Sequence, residues 1–350
     1  MLAIVGLGIA HVVLAGGAQA ADTYHLIRTV ELPKVTGWDY LRIDSAKREL
    51  FVSNNSGVIV FSIDRLREVG TIPSPPTWRG VGLIHGVAVA NDLGYGFVSQ
   101  ELPPRVVTFR LSDLRVVRAT RVAPGPDAIV YDPTTKRVFS IDGKVSGVHR
   151  VTVVDADSGR RIGEIELPGR PEYAVSDHAG SVFVNIASLD RIVRIDARTL
   201  QINAVWRMGA CKDPSALAID RSRHRLFAAC GNHRLIWMSS RSGQVLGSIP
   251  IGGGTDAVRF DPKTREIFAS SGIGTLTVAR EVRNAHVTVV QQIKTGPNGR
   301  TMALDHTTHR VFIITARFGS PPKHPTKYNP HDYPSVLPGT VKLMVYGPRS

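Results

Sequence analysis

Short runs of alternating apolar and polar residues recur along the chain. Each run leads into a turn that contains Asp and then into a strand-like segment with an aromatic residue. Seven such segments occur: YLRIDSAKRELFVS, VAVANDLGYGFVS, AIVYDPTTKRVFS, YAVSDHAGSVFVN, ALAIDRSRHRLFAA, AVRFDPKTREIFAS and MALDHTTHRVFII. Alternation with a period of two is typical of half-buried β-strands, and Asp and Gly are typical of tight turns. The pattern therefore predicts an all-β chain.

The seven segments share an anchoring phenylalanine at nearly constant spacing. Successive members are separated by 46, 42, 44, 44, 41 and 44 residues and are Phe51, Phe97, Phe139, Phe183, Phe227, Phe268 and Phe312. A period in the low forties, with four strand-sized pieces per unit, is the signature of a β-propeller blade. The sequence predicts an all-β, seven-bladed β-propeller with four-stranded antiparallel blades.

The third unit displays all four strands of a blade, which we call A to D from the central channel outward. They are DAIVYD, RVFSID, RVTVVDA and RRIGEIEL. The last unit has strands A to C but no fourth strand, while YHLIRTVEL precedes the first unit. We therefore expect the N-terminal strand to close the last blade and remove its open edge. Residues 21–350 are predicted to form a single propeller domain.

Three segments, FVSNN, VFVNIASLDRIVRID and LFAACGNHRLIWM, look like the repeats of a known family. They resemble the bacterial YVTN-repeat, or YncE-like, seven-bladed β-propeller family, and the resemblance covers residues 24–347. It implies an exported propeller that is periplasmic or secreted. It implies no single reaction, because members serve as binding or scaffold proteins and similar seven-bladed rings are lactonases.

An apolar segment precedes the repeats. Residues 1–17 are nearly all apolar or small, and Ala18-Gln19-Ala20 places small residues where a signal peptidase reads them. We expect residues 1–20 to be a signal peptide cleaved after Ala20, and the protein to be periplasmic or secreted. An uncleaved anchor is the alternative, which the glycines of this stretch disfavour. No later apolar run reaches membrane length, so no transmembrane segment is expected in the mature chain.

The only cysteines, Cys211 and Cys230, flank one predicted hairpin. Cys211 precedes strand A of the fifth blade and Cys230 ends strand B, so the hairpin brings both to the same end. An even pair in an exported chain is more typically oxidised than free. We expect a disulfide, with a buried pair of free thiols as the alternative.

Basic residues exceed acidic residues by 43 to 29, which gives a net charge of +14. Many of them fall in the predicted A–B and C–D turns, which lie together on what we call the bottom face. Such a surface attracts anions, and its candidate partners are nucleic acid and anionic lipid or glycan surfaces. We favour solvated turn residues instead, because aromatic side chains that could stack on bases are not interleaved with these turns.

The opposite top face, formed by B–C loops and D–A linkers, carries the candidate binding residues. The position twelve residues before each anchoring phenylalanine begins strand A, where the blades converge on the channel. With small adjustments in the fourth and fifth blades, this position predicts a polar ring of Asp39, His85, Asp127, Glu172, Asp213, Asp256 and Arg300. Carboxylates around a narrow axis must be separated by water, share protons, pair with Arg300 or surround a cation.

One divalent cation is the cofactor that such a ring could hold. Its candidate ligands are His85, Asp127, Glu172 and Asp256. Oxygen ligands suit Ca²⁺ or Mg²⁺, and the imidazole shifts the preference toward a transition metal. In the alternative interpretation each acid binds backbone amides of its own linker and fixes the turn between blades.

Two long segments also belong to the top face. Residues 73–84 link the first two blades, and residues 317–340 form an insertion in the seventh blade. The insertion is rich in proline, and its candidate contact residues are His324, Tyr328, His331 and Tyr333. We interpret it as a lid or partner-binding flap, with a structural cover as the alternative.

The chain contains no GxSxG, HExxH or P-loop motif. The leading hypothesis is therefore a binding or scaffold protein that holds a small molecule or an envelope protein at the top of the channel. The first alternative is a metal-dependent hydrolase or lactonase that uses the polar ring. The second is polyanion or nucleic-acid binding through the bottom face. A closed propeller needs no partner to bury its edges, so we expect a monomer.

Overall fold

The innermost strands of the protein pack side by side around one axis. The computed structural model describes residues 24–54, 57–74, 83–143, 145, 147–282, 285–321 and 334–349. These residues form seven four-stranded antiparallel sheets, which confirms the predicted fold class. The predicted signal peptide, residues 1–20, lies outside them. Within this part of the chain, no helix combines the length and the apolar character that crossing a membrane requires.

The first strand, β1 (Tyr24–Glu31), is followed by six blades of four consecutive strands, innermost first. Blades one to three contain β2 (Trp38–Asp44), β3 (Glu49–Asn54), β4 (Gly57–Ser62), β5 (Arg67–Pro73); β6 (Ile84–Ala90), β7 (Tyr95–Gln100), β8 (Arg105–Arg110), β9 (Val116–Arg121); β10 (Pro126–Asp132), β11 (Arg137–Asp142), β12 (Arg150–Asp155) and β13 (Arg161–Glu166). Blades four to six contain β14 (Pro171–Ser176), β15 (Ser181–Ile186), β16 (Arg191–Asp196), β17 (Ile202–Arg207); β18 (Pro214–Asp220), β19 (Arg225–Cys230), β20 (Arg234–Ser239), β21 (Val245–Pro250); β22 (Thr255–Asp261), β23 (Glu266–Ser271), β24 (Thr275–Glu281) and β25 (Val287–Lys294). A 3-10 turn, Ala187–Leu189, follows β15.

The seventh blade joins the two ends of the described chain. It contains β26 (Met302–Asp305), β27 (Arg310–Thr315), β28 (Lys342–Pro348) and, outermost, β1. Tyr24 lies opposite Pro348 in the antiparallel ladder between β1 and β28. Tyr24 also exchanges two hydrogen bonds with Gln291 of blade six, at 2.8 and 2.9 Å. The N-terminal strand is therefore held by two blades.

The anchoring phenylalanines form the centre of the apolar layers between blades. All seven are at most 1% exposed. Phe139, for example, belongs to one buried cluster with Val182 and Val193 of the next blade. Burial of a side chain of this size contributes about 2 kcal/mol relative to leaving it in water. The repeated phenylalanine is thus the residue that packs each blade against its neighbours.

A buried aspartate ends strand A in several blades and holds the turn that follows. In blade three, Asp132 accepts hydrogen bonds from the backbone and hydroxyl of Thr135 at 3.0 and 2.7 Å. Its other oxygen accepts from the hydroxyl of Ser176 in blade four at 2.6 Å. Lys136 completes the turn in the left-handed region, with φ 53°. The Asp-containing turn that marks the repeat is therefore a joint between blades.

Several bottom-face arginines are paired with carboxylates. Arg48 contacts Asp64 and Asp305, each at 2.8 Å. Arg225 pairs with the buried Glu281 of the next blade. These pairs place part of the positive charge of the turns close to negative charge. Binding of nucleic acid or another polyanion at this face stays a prediction.

The two cysteines lie where the hairpin of blade five places them. Their sulfur atoms are 2.02 Å apart, a disulfide distance, and their Cα atoms are 5.3 Å apart. The pair links the segment before β18 to the last residue of β19. It therefore fastens the top end of this hairpin.

Candidate functional site at the channel mouth

An extra residue near the start of strand A aims side chains into the mouth of the channel. In blades one to six the ladder between strands A and B shifts register there, as between Trp38 and Leu41 in blade one. A bulge changes the direction of the side chains beside it. The second residues of these six strands are Asp39, His85, Asp127, Glu172, Ser215 and Asp256. The predicted ring position thus coincides with the bulge in five blades, whereas in blade five it is occupied by Ser215.

Serines on strand B fix the backbone at these bulges. The hydroxyl of Ser53 lies 3.0 Å from the carbonyl oxygen of Tyr40 in its own blade and also binds the carbonyl of His85 in the next blade. Ser99 repeats this arrangement, since it accepts from the amide of Gly86 at 2.7 Å and binds the carbonyl of Asp127. Strand B of blades one and two therefore holds the bulge of the next blade, and these hydrogen bonds fix the backbone at His85 and Asp127.

Three successive blades bring a histidine and three carboxylates together. Nδ1 of His85 lies 2.7 Å from Oδ2 of Asp39 and 3.7 Å from Oδ1 of Asp127. Nε2 of the same ring lies 3.0 Å from Oε2 of Glu101. The imidazole is 7% exposed, and the carboxylates are partly exposed. One ring nitrogen thus meets two carboxylates and the other nitrogen meets a third.

The donor atoms of Asp39, His85 and Asp127 lie within 4.8 Å of one another, close enough to share one metal ion. Metal-binding histidines usually donate a hydrogen bond from the second ring nitrogen to a carboxylate, which fixes the tautomer and orients the ring. Glu101 occupies this place beside Nε2 of His85. Without a metal, the same contacts suit an imidazolium that donates from both nitrogens. One imidazole and two carboxylates match the preferences of divalent transition metals.

Glu172 and Asp213 lie in a second polar cluster on the side of blades four and five. Arg170 bridges them, with Nη1 2.6 Å from Glu172 and Nη2 2.9 Å from Asp213. Lys212 pairs with Asp190 at 2.7 Å beside them. The side chain of Asp213 is 65% exposed. These two predicted ring residues therefore form ion pairs with Arg170 and do not belong to the compact group around His85.

Asp256 and Arg300 form the third part of the ring. Nε of Arg300 lies 3.0 Å from Oδ2 of Asp256 and links blade six to blade seven. Pairing with Arg300 was one of the arrangements expected for the carboxylates of the ring. Of the four predicted metal ligands, only His85 and Asp127 lie in the compact group, which Asp39 completes.

Two tyrosines from opposite sides of the ring form the floor of the mouth. The rings of Tyr40 in blade one and Tyr173 in blade four are 5.4 Å apart and tilted by 56°. Burial raises the pKa of Tyr40 well above its usual value, and the negative charges of Asp127, Asp39 and Glu172 raise it further. Tyr40 therefore stays protonated beneath an acidic mouth.

Counting along the repeat missed Glu101, Tyr40 and Tyr173, although each stands out once the blades are aligned. Glu101 lies four residues after its anchoring phenylalanine. The corresponding residues of the other blades are Asn55, Gly143, Ala187, Gly231, Gly272 and Ala316. Glu101 is therefore an acidic residue at a position that the other blades fill with small or amide residues. This difference from the repeat is the feature of the sequence that could have identified Glu101 as a site residue.

The insertion in blade seven begins and ends beside the mouth. Phe318 and Val336 form a bridge, and the amide of Leu337 donates to the carbonyl of Arg317 at 2.9 Å. The ring of Phe318 lies 6.3 Å from that of Trp38, the neighbour of Asp39. The predicted lid contacts His324, Tyr328, His331 and Tyr333 lie outside the described residues.

The overall architecture is clear, and its assignment to one family rests on short sequence segments alone. No protein-family model matches the chain, and a search of curated proteins found none with significant similarity. The conclusion that fold and site support together is a seven-bladed β-propeller with a polar channel mouth.

Proposed function

We propose that the protein is an exported binding or scaffold propeller, similar to the YVTN-repeat, YncE-like proteins, whose channel mouth holds one divalent cation. The observation that carries the proposal is the environment of His85. Nδ1 faces Asp39 and Asp127, while Nε2 faces Glu101. This is the arrangement of a metal-binding histidine with a carboxylate behind it.

The ligand set indicates which cations to test first. An imidazole nitrogen with two carboxylates favours Zn²⁺, Mn²⁺ or Fe²⁺ over Mg²⁺ or Ca²⁺, which prefer oxygen ligands only. A metal on Nδ1 of His85 replaces a proton there, so metal binding competes with protonation and weakens as the pH falls.

The ligand or partner would bind above this cation. Three protein ligands leave coordination positions for an oxygen atom of a small molecule or of an envelope protein. The base of the 317–340 insertion lies beside Trp38, next to the mouth. The insertion is therefore well located to contribute to specificity, as long loops on rigid rings commonly do.

A periplasmic or secreted location fits this proposal. The cysteines at disulfide distance are typical of an oxidising compartment. Residues 1–20 have the composition of a signal peptide. The closed ring supports a monomer, because the blades bury their apolar faces against one another and need no second copy to do so.

Elemental analysis of natively purified protein, before and after chelation, tests the cation. Calorimetric titration of the chelated protein with Zn²⁺, Mn²⁺ and Ca²⁺ then gives the affinities. We expect His85→Ala to lose the metal with a melting temperature within a few degrees of wild type. His224→Ala, which removes a bottom-face histidine bonded to Arg241, should retain it. Glu172→Gln should also retain it, because Glu172 lies outside the compact group.

Two results would count against the proposal. One is a wild-type protein that neither contains nor binds a stoichiometric metal. The other is a metal affinity that His85→Ala leaves unchanged. If His85→Ala unfolds, the metal affinities of Asp39→Asn and Asp127→Asn test the proposal instead. Each of these variants changes one ligand and keeps the volume of the side chain.

A metal-dependent hydrolase or lactonase is the second candidate. The three-ligand group favours it, because open positions on a cation can hold both a water molecule and a substrate carbonyl. Steady hydrolysis of simple lactones and aryl esters by the metal-loaded protein, abolished in His85→Ala, would support the enzyme. Metal binding without turnover of any of these substrates would support the binding protein.

A further inference from the structure

A second space lies inside the ring below the tyrosine floor. It is a cavity of about 510 Å³, bounded by the innermost strands of the blades. Small-molecule sites typically have volumes of roughly 300–1,000 Å³. Tyr40 and Tyr173 line this cavity from above and lie below the acidic mouth, so the two spaces share one aromatic partition.

Three arginines line the cavity. Arg42 lies in β2, Arg259 in β22 and Arg221 in the turn after β18. Arg42 is exposed although Leu41 and Ile43 on either side are buried, because its side chain enters the channel. Arg42 and Arg259 occupy the same place in their blades, opposite the anchoring phenylalanines Phe51 and Phe268. The repeat thus directs two guanidinium groups into one space.

No Asp or Glu of the described residues forms an ion pair with these three arginines. Arg221 donates to the carbonyl of Ser176 at 3.2 Å and to Nε2 of His178 at 3.0 Å. Arg259 donates to the carbonyl of Val258 at 2.9 Å and lies 5.8 Å from the ring centre of Tyr173. Within the described residues no carboxylate therefore pairs with them directly, although the negative charge of Asp44 acts on Arg42 and that of Asp177 acts on Arg221.

Acids do lie near the bottom of the channel, but their own turns use them. Asp44 accepts from the amide of Ala46 at 2.9 Å, and Asp220 accepts from the amide of Ser222 at 2.9 Å. Asp132 holds Thr135 in the same way. These carboxylates are buried and hydrogen-bonded to their turns, and none forms an ion pair with the three arginines. Asp220 lines the lower end of the cavity, and the charge of Asp44 partly offsets that of Arg42.

The histidines at the lower end have lowered pKa values, to which burial and nearby arginines contribute. Burial, together with the positive charges of Arg221 and Arg42, lowers the pKa of His178 to about 4, although Asp132 and Asp177 oppose this shift. Burial and the nearby charge of Arg42 lower the pKa of Arg221 to about 10. His178 is therefore neutral near pH 7 and accepts a hydrogen bond from Arg221. Bringing an anion into this region would relieve the repulsion between the arginines.

Most of the other residues around the cavity are apolar or aromatic, and the polar ones, among them Asp220 and Ser222, lie at its lower end. Val87, Ala128, Ala174 and Val258 contribute to its walls, and the two tyrosines form its upper end. His178, His306 and Arg221 are surrounded by protein inside the channel, yet their side chains are accessible to solvent, which places the opening of the cavity at the bottom face. Basic turns around such an opening concentrate anions near it.

We propose that the lower channel is a second binding site, which takes a small organic oxyanion from the bottom face. Its carboxylate or phosphate group binds Arg42 and Arg259, and its apolar or aromatic body lies against Tyr173 and the aliphatic walls. A guanidinium presents paired donors that match both oxyanions. The site is separate from the cation group at the mouth and does not depend on it.

Calorimetric titration of the full chain with phenyl phosphate, benzoate and inorganic phosphate tests this site. Benzyl alcohol, which has the ring without the charge, is the neutral control. We expect at least one of the two aromatic anions to bind, the alcohol not to bind measurably, and binding to weaken as salt is added. Comparison of the two aromatic anions identifies the preferred oxyanion, and inorganic phosphate measures what the charged group contributes without the ring.

Arg42→Gln and Arg259→Gln should each weaken binding about tenfold or more, because each removes a charge-assisted contact. The matched control is Arg150→Gln, whose side chain is 49% exposed and pairs with Glu164 on blade three. His85→Ala should bind the anion normally, which separates this site from the mouth. If Arg42→Gln fails to fold, the anion affinity of Arg259→Gln tests the proposal. Absence of anion binding in the wild type, or equal affinity in the arginine variants, would overturn the proposal.

Discussion

The carboxylate of Glu101 lies 3.0 Å from Nε2 of His85, while Nδ1 of the same ring lies 2.7 Å from Asp39. A carboxylate in this place holds the Nε2 proton and leaves Nδ1 to serve as the ligand atom. Glu101 is therefore a positioning residue for the proposed cation, although it does not belong to the compact ligand group.

Removing Glu101 should weaken the metal site without removing it. We expect Glu101→Ala to reduce metal affinity about tenfold to a hundredfold. Glu101→Gln keeps an acceptor for Nε2 and should lose less. Calorimetry across several pH values measures both effects, with Glu164→Ala in blade three as the control. An equal loss in the alanine and glutamine variants would contradict the positioning role.

The buried Asp142 should make stability depend on pH. Burial raises its pKa to about 7, against the lowering effect of hydrogen bonds from Ser140 and Thr152. Because the folded state binds a proton that the unfolded state has released, the free energy of unfolding should fall as the pH rises from about 4 to about 7. The slope from this one group is at most about 1.4 kcal/mol per pH unit.

Urea denaturation of wild type and Asp142→Asn at several pH values isolates this group. The variant carries no titrating carboxyl there and should lack this part of the pH dependence. Parallel curves for the two proteins between pH 4 and pH 7 would show that Asp142 is ionised throughout.

Tyr24 should contribute strongly to the stability of the ring. Its side chain is 2% exposed, and its ring lies 5.0 Å from that of Phe268 in blade six. Tyr24→Ala should cost about 3–5 kcal/mol in the free energy of unfolding. Leu26→Ala on the same strand, where the side chain is 44% exposed, should cost less than about 0.5 kcal/mol. Equal effects in urea denaturation would mean that β1 is not held by its buried face.

The ion pair between Arg48 and Asp305 should hold blades one and seven together. Nη1 of Arg48 lies 2.8 Å from both carboxylate oxygens, and Asp305 is fully buried. Arg48→Met should cost about 2–4 kcal/mol, because it removes a charged partner from a buried carboxylate. Lys34→Met breaks an exposed pair with Glu68 and should change stability by less than about 0.5 kcal/mol. A double-mutant cycle with Asp305→Asn that shows no coupling would argue against the pair.

Most of the fold could be predicted from the sequence, because each blade repeats the same pattern of buried and exposed positions. The repeat predicts the segment RVFSID as strand B, and it coincides with β11. Phe139 within it packs between blades as the other six anchoring residues do. Seven repetitions of one pattern reveal the period even where a single segment is ambiguous.

The site was harder to predict, because it depends on where the blades differ. Counting back from the phenylalanine predicts that Asp39, His85 and Asp127 lie at the same height in the channel. Which of these side chains contact one another depends on the bulges and on the neighbouring blades. Nine residues before each phenylalanine, the blades carry Arg42, Ala88, Val130, Ala174, Ala218, Arg259 and Ala303. The two arginines stand at a position that the other blades fill with Ala or Val. A comparison that looks for what the repeats share does not detect residues that differ from the repeat.

The pairing of β1 with β28 imposes an order on folding. Tyr24 and Pro348 are separated by almost the whole described chain, so the seventh blade is complete only after the last strand has been synthesised. Contacts between residues this far apart form late. Until they form, β28 presents an unpaired edge that accepts a matching strand from any source. At high concentration during refolding, that edge is where two copies would exchange their first strands and become an intertwined dimer.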